Sequence, residues 1–314
     1  MKTMRKDFIV AGHRFSVLMD EASPLWERMQ VNYGPFEAVE VTLPADKAIF
    51  TLQVNPSPEW VLADISGMEP LFVGDNSLEE TQTDFYRDGD RFYLEFAVNG
   101  RSTKVASLRI SDDFSSGTLE FADPSIGRFA IDNAAMLMFA FSTVSLMTLE
   151  MHSSVTVNSG RAYMFLAESG TGKSTHSRMW LENISGSELL NDDNPVVRVA
   201  EDGSVTVYGS PWSGKTPCYR NASAPLGAMV QIRRSPTNAA TPLSALEAYA
   251  LISSSSSGFR GIASMADGLH DTISAIALSQ PCFVLDCRPD AEAALVCHKA
   301  VCNKVVPMIN NEYI

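Results

Sequence analysis

The chain has 314 residues, enough for one large or two ordinary domains with an ample core. Hydrophobic residues make up 45% and charged residues 19%, a globular composition that excludes a disordered chain. A formal net charge of −13, without a basic stripe carrying interleaved aromatics, argues against nucleic acid or anionic lipid as a partner.

Residues 1–125 read as mostly β. Short apolar or alternating runs fall at 8–10, 14–18, 48–54 and 59–62, and 91–98 and 101–106 flank an Asn99-Gly100 turn as a hairpin would. Runs at 108–110 and 118–121 continue the meander. His13 reads as a surface or strand-edge residue. The apolar run at 8–11, after Lys2, Arg5 and Lys6, is too short for the hydrophobic part of a signal peptide, so a reducing cytoplasm is the expected compartment.

A boundary is expected at 123–127, dividing a β-rich region, 1–125, from a second domain, 126–314. An apolar helix follows over 131–148. Its stretch 134–149 is the one membrane candidate, but it carries Ser142, Thr143, Ser145 and Thr148 and lacks basic flanks, so a buried core helix is the better reading. Strands are then predicted at 151–157 and 162–166, the first carrying His152 and the two joined by a turn at 158–160.

Further on, a helix is predicted over 174–183 and a strand over 188–193. A hairpin follows over 196–199 and 204–208, then a long loop, 209–221, carrying Trp212, Lys215 and Arg220. The remaining elements are a strand at 226–232, helices at 243–257 and 265–279, a strand at 282–286 and a last helix at 289–303. The five cysteines, Cys218, Cys282, Cys287, Cys297 and Cys302, include two C-x4-C pairs. That spacing puts the partners on opposite faces of a strand and well apart on a helix, so plain buried thiols are expected rather than a structural metal site. The fold class is α/β, of mixed type.

The centre of the chain is Ala167, Glu168, Ser169, Gly170, Thr171, Gly172, Lys173, Ser174 and Thr175, set between a predicted strand and a predicted helix. That is the context of a phosphate-binding P-loop. Glycines let the backbone turn its N–H groups toward an anion, and the helix start adds the positive end of its dipole. Lys173 can reach β- and γ-phosphates, and Ser174 offers a hydroxyl to Mg²⁺. Ala167 stands where the motif's first glycine would be. Asp192 lies nineteen residues after Lys173, beside Asp193, at the end of the predicted strand. Acids there can hold Mg²⁺ or take a proton, although Asn191 to Asn194 are also turn formers. Lys215 and Arg220 are candidates for a cationic wall that closes on the phosphates.

Taken together, His152, the loop from Ala167 to Ser174 and Asn191-Asp192-Asp193 resemble the HPr kinase/phosphorylase family and its relative, phosphoenolpyruvate carboxykinase. The resemblance covers about 130–235 well, the tail to about 303 loosely, and the first 120 residues not at all. It implies a mixed sheet core binding ATP (or GTP) and Mg²⁺, with metal near Ser174, Asp192 and Asp193. One Asp would be the general base, with His152 near the transferred phosphoryl group. The acceptor would be a hydroxyl of a protein or small molecule, and a homo-oligomer is compatible. Two positions depart from the family pattern. Thr175 replaces the usual Glu, and the nearest counterpart of the Glu-x-Arg-Gly segment is Cys218-Tyr219-Arg220-Asn221, without the acid. A non-catalytic nucleotide-binding protein and a carboxykinase-like enzyme are the alternatives.

Overall fold

The computed structural model describes residues 2–38, 48–73, 82–98, 103–168, 170–214 and 216–302. The chain divides into two compact units, Met1–Leu149 with Ser257–Leu269, and Glu150–Ser256 with His270–Ile314.

In the first unit, β1 (Thr3–Val10) and β2 (His13–Asp20) form a hairpin. Its two turn residues, Ala11 and Gly12, have φ of 51° and 79°, the left-handed pair that a two-residue hairpin turn needs. Helix α1 (Leu25–Tyr33) comes next, in a region predicted to be β; Leu25, Trp26, Met29 and Tyr33 form its buried stripe. Then come β3 (Thr51–Pro56), β4 (Glu69–Phe72), β5 (Gln82–Asp88), β6 (Arg91–Ala97), β7 (Lys104–Ser111), β8 (Ser116–Phe121) and helix α2 (Gly127–Thr143). The strands form one mixed sheet in the order β1-β2-β3-β8-β7-β6-β5-β4. Strands β6 and β7 pair as the predicted hairpin, while its Asn99-Gly100 turn lies outside the described residues. The run at 59–62 forms no strand.

Helix α2 belongs to the first unit, so the compact units divide at Leu149/Glu150 rather than near residue 125. Its burial gives the reason. Ala130, Ile131, Ala134, Ala135, Met138 and Phe139 are buried, and Phe141 meets Phe85 and Phe114 at ring distances of 5.8 and 5.6 Å. The stretch Pro124–Leu146 is long and apolar enough to cross a membrane by length and composition. Here its apolar side chains fill the unit's core. His13 is buried, not at the surface, and its Nε2 lies 2.9 Å from Thr148 Oγ1.

The second sheet begins with β9 (Thr148–Glu150), β10 (Ser153–Asn158) and β11 (Arg161–Leu166). It continues after helix α3 (Lys173–Asn183) with β12 (Glu188–Asp193), β13 (Val196–Val199), β14 (Val205–Tyr208), β15 (Ser223–Arg234) and β16 (Ala239–Pro242). Helices α4 (Ala245–Ser255) and α5 (Ala263–Ser279), strand β17 (Cys282–Cys287) and helix α6 (Ala291–Cys302) complete the described chain. The strand order is β12-β10-β11-β15-β14-β13-β9, with β17 paired to β15 and to β16. At 12 residues β15 outruns its prediction, because it pairs successively with β14, β11 and β17.

One consequence of this topology positions the site. Strands β11, β15 and β17 are mutually parallel. Strands β11 and β12 both run antiparallel to β10, so β12 points the same way as β11. The ends of β11, β12, β15 and β17 and the start of β10 therefore share one edge. Beneath them lies a core of Tyr163, Phe165, Trp180, Val230, Leu285 and Cys297. The Trp180 ring sits 5.0 Å from Tyr163 and 5.3 Å from Phe165. Cys282, Cys287 and Cys297 are buried, with burial pushing the Cys282 thiol up to about 12.

Candidate functional site

Strand β11 ends at Leu166 because Ala167 to Gly172 turn. Gly170 and Gly172 take φ of 73° and 127°, conformations that cost a side chain dearly and glycine little. Helix α3 then opens at Lys173 with Gly172 as its N-cap and, among the described residues, no side chain capping it, which leaves first-turn N–H groups for another acceptor. Ser154 Oγ and Ser177 Oγ, 2.6 Å apart, fasten the helix to β10. Ser174 is exposed in the first turn, Thr175 is half-buried, and Glu168 is exposed. Ser169 lies outside the described residues.

Lys173 is buried, 8% exposed, and folds back over the loop. Its Nζ donates to the Ala167 carbonyl at 3.1 Å and sits 2.7 Å from His152 Nε2. The ammonium has only donors, so Nε2 accepts, and the other ring nitrogen, Nδ1, faces Asp193 Oδ1 at 3.0 Å. One imidazole thus joins the lysine at the start of α3 to the Asp pair. His152 itself precedes β10 rather than lying within it, and its backbone N–H donates to the Ser255 carbonyl at 2.7 Å.

The Asp pair is built by its neighbours. Asn191, fully buried, donates from Nδ2 to the Trp212 carbonyl at 3.1 Å and accepts at Oδ1 from the Asn194 N–H at 3.0 Å. This ties the end of β12 to the 209–214 segment. Gly214 N–H and Ser213 Oγ then donate to the Asp192 carbonyl at 2.7 and 3.0 Å. Asp192 is buried, 4% exposed. Asp193 has φ of 131°, a strained value for a residue with a side chain. Strain of this kind persists where surrounding contacts over-determine the backbone, and it clusters at functional sites.

Other predicted residues lie elsewhere. Arg220 pairs with Glu188 at 2.7 Å and donates to the Leu189 carbonyl at 2.8 Å. Both acceptors are at the start of β12, about 17 Å of strand from its Asp193 end. Arg220 is therefore not a wall of the Ala167–Thr175 loop; Glu188 and the Leu189 carbonyl hold it where it is. Lys215 lies outside the described residues. The prediction overlooked Arg234. Its guanidinium donates to the Gly170 carbonyl at 2.6 Å and to the Thr171 carbonyl at 3.3 Å, bracing the loop from the end of β15. A glycine loop's dependence on a cation 64 residues further on has no local signature. Asn191 was legible only as part of the Asn191-Asp192-Asp193 run and Gly214 only as part of the 209–221 loop, not as the residues that tie these two segments together.

The fold and site together define a mixed α/β protein with two mixed sheets and a glycine-rich strand-to-helix loop. Among protein-family models and among curated proteins, the comparisons found no match for the chain.

Proposed function

We propose that this protein is an ATP- or GTP-binding, Mg²⁺-dependent phosphotransferase of the HPr kinase-like P-loop type, acting on a hydroxyl of a protein or small-molecule acceptor. The observation that carries this reading is the chain Lys173–His152–Asp193, which gathers loop cation, imidazole and carboxylate within successive contacts of 2.7 and 3.0 Å. Phosphate oxygens arriving at the loop would take the Lys173 ammonium from a neutral acceptor, because charge-assisted hydrogen bonds are about twice as strong as neutral ones. The uncapped first-turn N–H groups of α3 would hold the same phosphates.

Ser174, Asp192 and Asp193 supply oxygen donors, the ligand type a hard divalent cation takes, so these residues would hold Mg²⁺. When bound, it would neutralise charge on the phosphates. Asp193, oriented by His152, is the better placed carboxylate to accept the proton of an acceptor hydroxyl, a poor nucleophile until it loses that proton. Asp192 is then the metal-side carboxylate.

The second reading, a nucleotide-binding protein without turnover, draws on Cys218. It stands where the resemblance calls for an acid, and its thiol lies 3.4 Å from the Leu190 carbonyl, toward β12. Calorimetry with Mg²⁺-nucleotide on the wild type and Lys173→Ala tests the shared core of both readings. A loss of about 10-fold or more is expected from removing one ammonium–phosphate contact. Equal affinity in the two proteins would sink the assignment. Phosphate release or transfer by the wild type then separates the two.

A further inference from the structure

The turn between β11 and α3 leaves one peptide plane undetermined by its own sequence. Rotating the plane between Thr171 and Gly172 changes ψ of Thr171 and φ of Gly172, and glycine accepts φ of either sign. Gly172 is found at 127°, the less usual choice. A trans peptide points its C=O and its N–H in opposite directions, and among the described residues no peptide is cis. Reversing this plane would therefore present a carbonyl oxygen to an anion that needs an N–H.

Arg234 supplies the restraint from outside the loop. Strand β15 pairs with β11 as far as Leu166 and Gln231, then runs on to Arg234, held on its other side by β17 through the Arg234–Cys287 pair. The strand end thus stands beside the turn. Successive side chains leave a strand on opposite faces. Arg233 goes one way, to two bonds with Asp286 at 3.0 Å each. Arg234 goes the other, and puts Nη2 2.6 Å from the Gly170 carbonyl and Nε 3.3 Å from the Thr171 carbonyl. The guanidinium is planar with its donors in a fixed fork, so the short bond to Gly170 also fixes where Nε stands. The Thr171 N–H donates to the Glu168 carbonyl at 3.2 Å and closes the turn. With the Gly170 and Thr171 carbonyls gathered toward Arg234, the Gly172 N–H is turned away from it. It adjoins the first N–H groups of α3, which no side chain caps among the described residues.

We propose that Arg234 is a positioning residue for phosphate: by holding the Thr171–Gly172 plane it keeps the Gly172 N–H turned toward the anion and the Thr171 carbonyl away from it, before any ligand arrives. The inference rests on the phosphate-loop reading. Arg234 acts from behind the loop, through its carbonyls, and not as a phosphate ligand. Donors fixed in advance need no reorganisation when the charge arrives. Without the clamp only the molecules with the plane in its native sense can bind, and the apparent affinity falls in proportion to their fraction.

The test compares the full chain with Arg234→Gln, which removes both fork and charge, and Arg234→Lys, which keeps the charge and loses the planar fork. Arg234 is exposed and lines a cavity of about 330 Å³ beside the loop, so either replacement has room. Thr171-Gly172 is the only Thr-Gly pair in the sequence. Carbonyl-labelled threonine combined with nitrogen-labelled glycine therefore singles out the Gly172 amide by NMR. Without ligand the wild type should give one signal, and both variants a displaced or doubled one. Calorimetry with Mg²⁺-tripolyphosphate, the phosphate chain alone, should show both variants binding roughly 10-fold more weakly, the loss expected when about one molecule in ten keeps the native plane. Wild-type affinity in Arg234→Lys would mean that charge alone suffices, and would overturn the clamp. Wild-type affinity in Arg234→Gln, or a Gly172 signal identical in all three proteins, would overturn it too. Each of these results leaves the phosphate loop standing. If the wild type binds no tripolyphosphate, the phosphate-loop reading itself fails and takes this role of Arg234 with it.

Discussion

Gly214→Ala is a sharp probe of how the Asp pair is held. A Cβ placed on Gly214 would lie 3.0 Å from Asp193 Oδ2 and 3.1 Å from its Cβ and Cγ. Carbon contacts normally settle near 3.5–4.0 Å, so something must yield by about half an ångström. Gly214 cannot retreat easily, because its N–H donates to the Asp192 carbonyl at 2.7 Å. Asp193 is held too, by His152 at Oδ1 and by Asn194 Nδ2 at Oδ2, 3.0 and 3.2 Å away. Overpacking of this kind costs about 1–3 kcal/mol. At about 2–4 °C per kcal/mol for units of this size, melting should fall by roughly 2–12 °C. A carboxylate displaced on this scale should also slow turnover, by up to about 100-fold. Thermal melts and steady-state phosphate release measure the two effects. Gly67→Ala, where nothing among the described residues lies within 4 Å, is the control. Unchanged melting and turnover in Gly214→Ala would refute the claim that this glycine is the seat of the Asp193 carboxylate.

Further outcomes follow from the same geometry. Asp192→Asn and Asp193→Asn should each lower phosphotransfer by at least about 100-fold while nucleotide affinity, measured by calorimetry, stays near wild type; wild-type rates in both would remove the pair from the chemistry. His176 supplies a pH test. Burial lowers it from its ordinary 6.5 to about 4, so between those values the unfolded chain takes up a proton that the folded chain refuses. Its contribution is fully present above pH 6.5 and is lost as pH falls toward 4, by up to about 3 kcal/mol. Denaturant melts of His176→Gln should accordingly show a flatter acid limb than the wild type, and parallel limbs would contradict the burial argument.

Local patterns in the chain carried a good deal of this structure. The strand Glu188–Asp193 was legible to its end residues, since apolar Leu189 and Leu190 are followed by polar turn formers. The strand–glycine turn–helix order around Lys173 was equally legible, because glycine spacing and helix periodicity act over a few residues. Helix α1 was not. It is short, polar side chains interrupt its apolar stripe, and it is stable only because Trp26, Met29 and Tyr33 find a core. His13 looked like a strand-edge residue until Thr148, 135 positions on, came within hydrogen-bonding distance. Arg220 and Arg234 were both cations near strand ends, and only the strand order decides between them. Register gives Arg220 the Glu188 end of β12, whereas the parallel pairing of β15 with β11 gives Arg234 the loop carbonyls. The residue types of the proposed phosphate loop were thus set by the chain alone. Which cation braces the loop, which glycine seats Asp193 and which side chains wall the cavity were set by contacts between distant segments, and no local period records those.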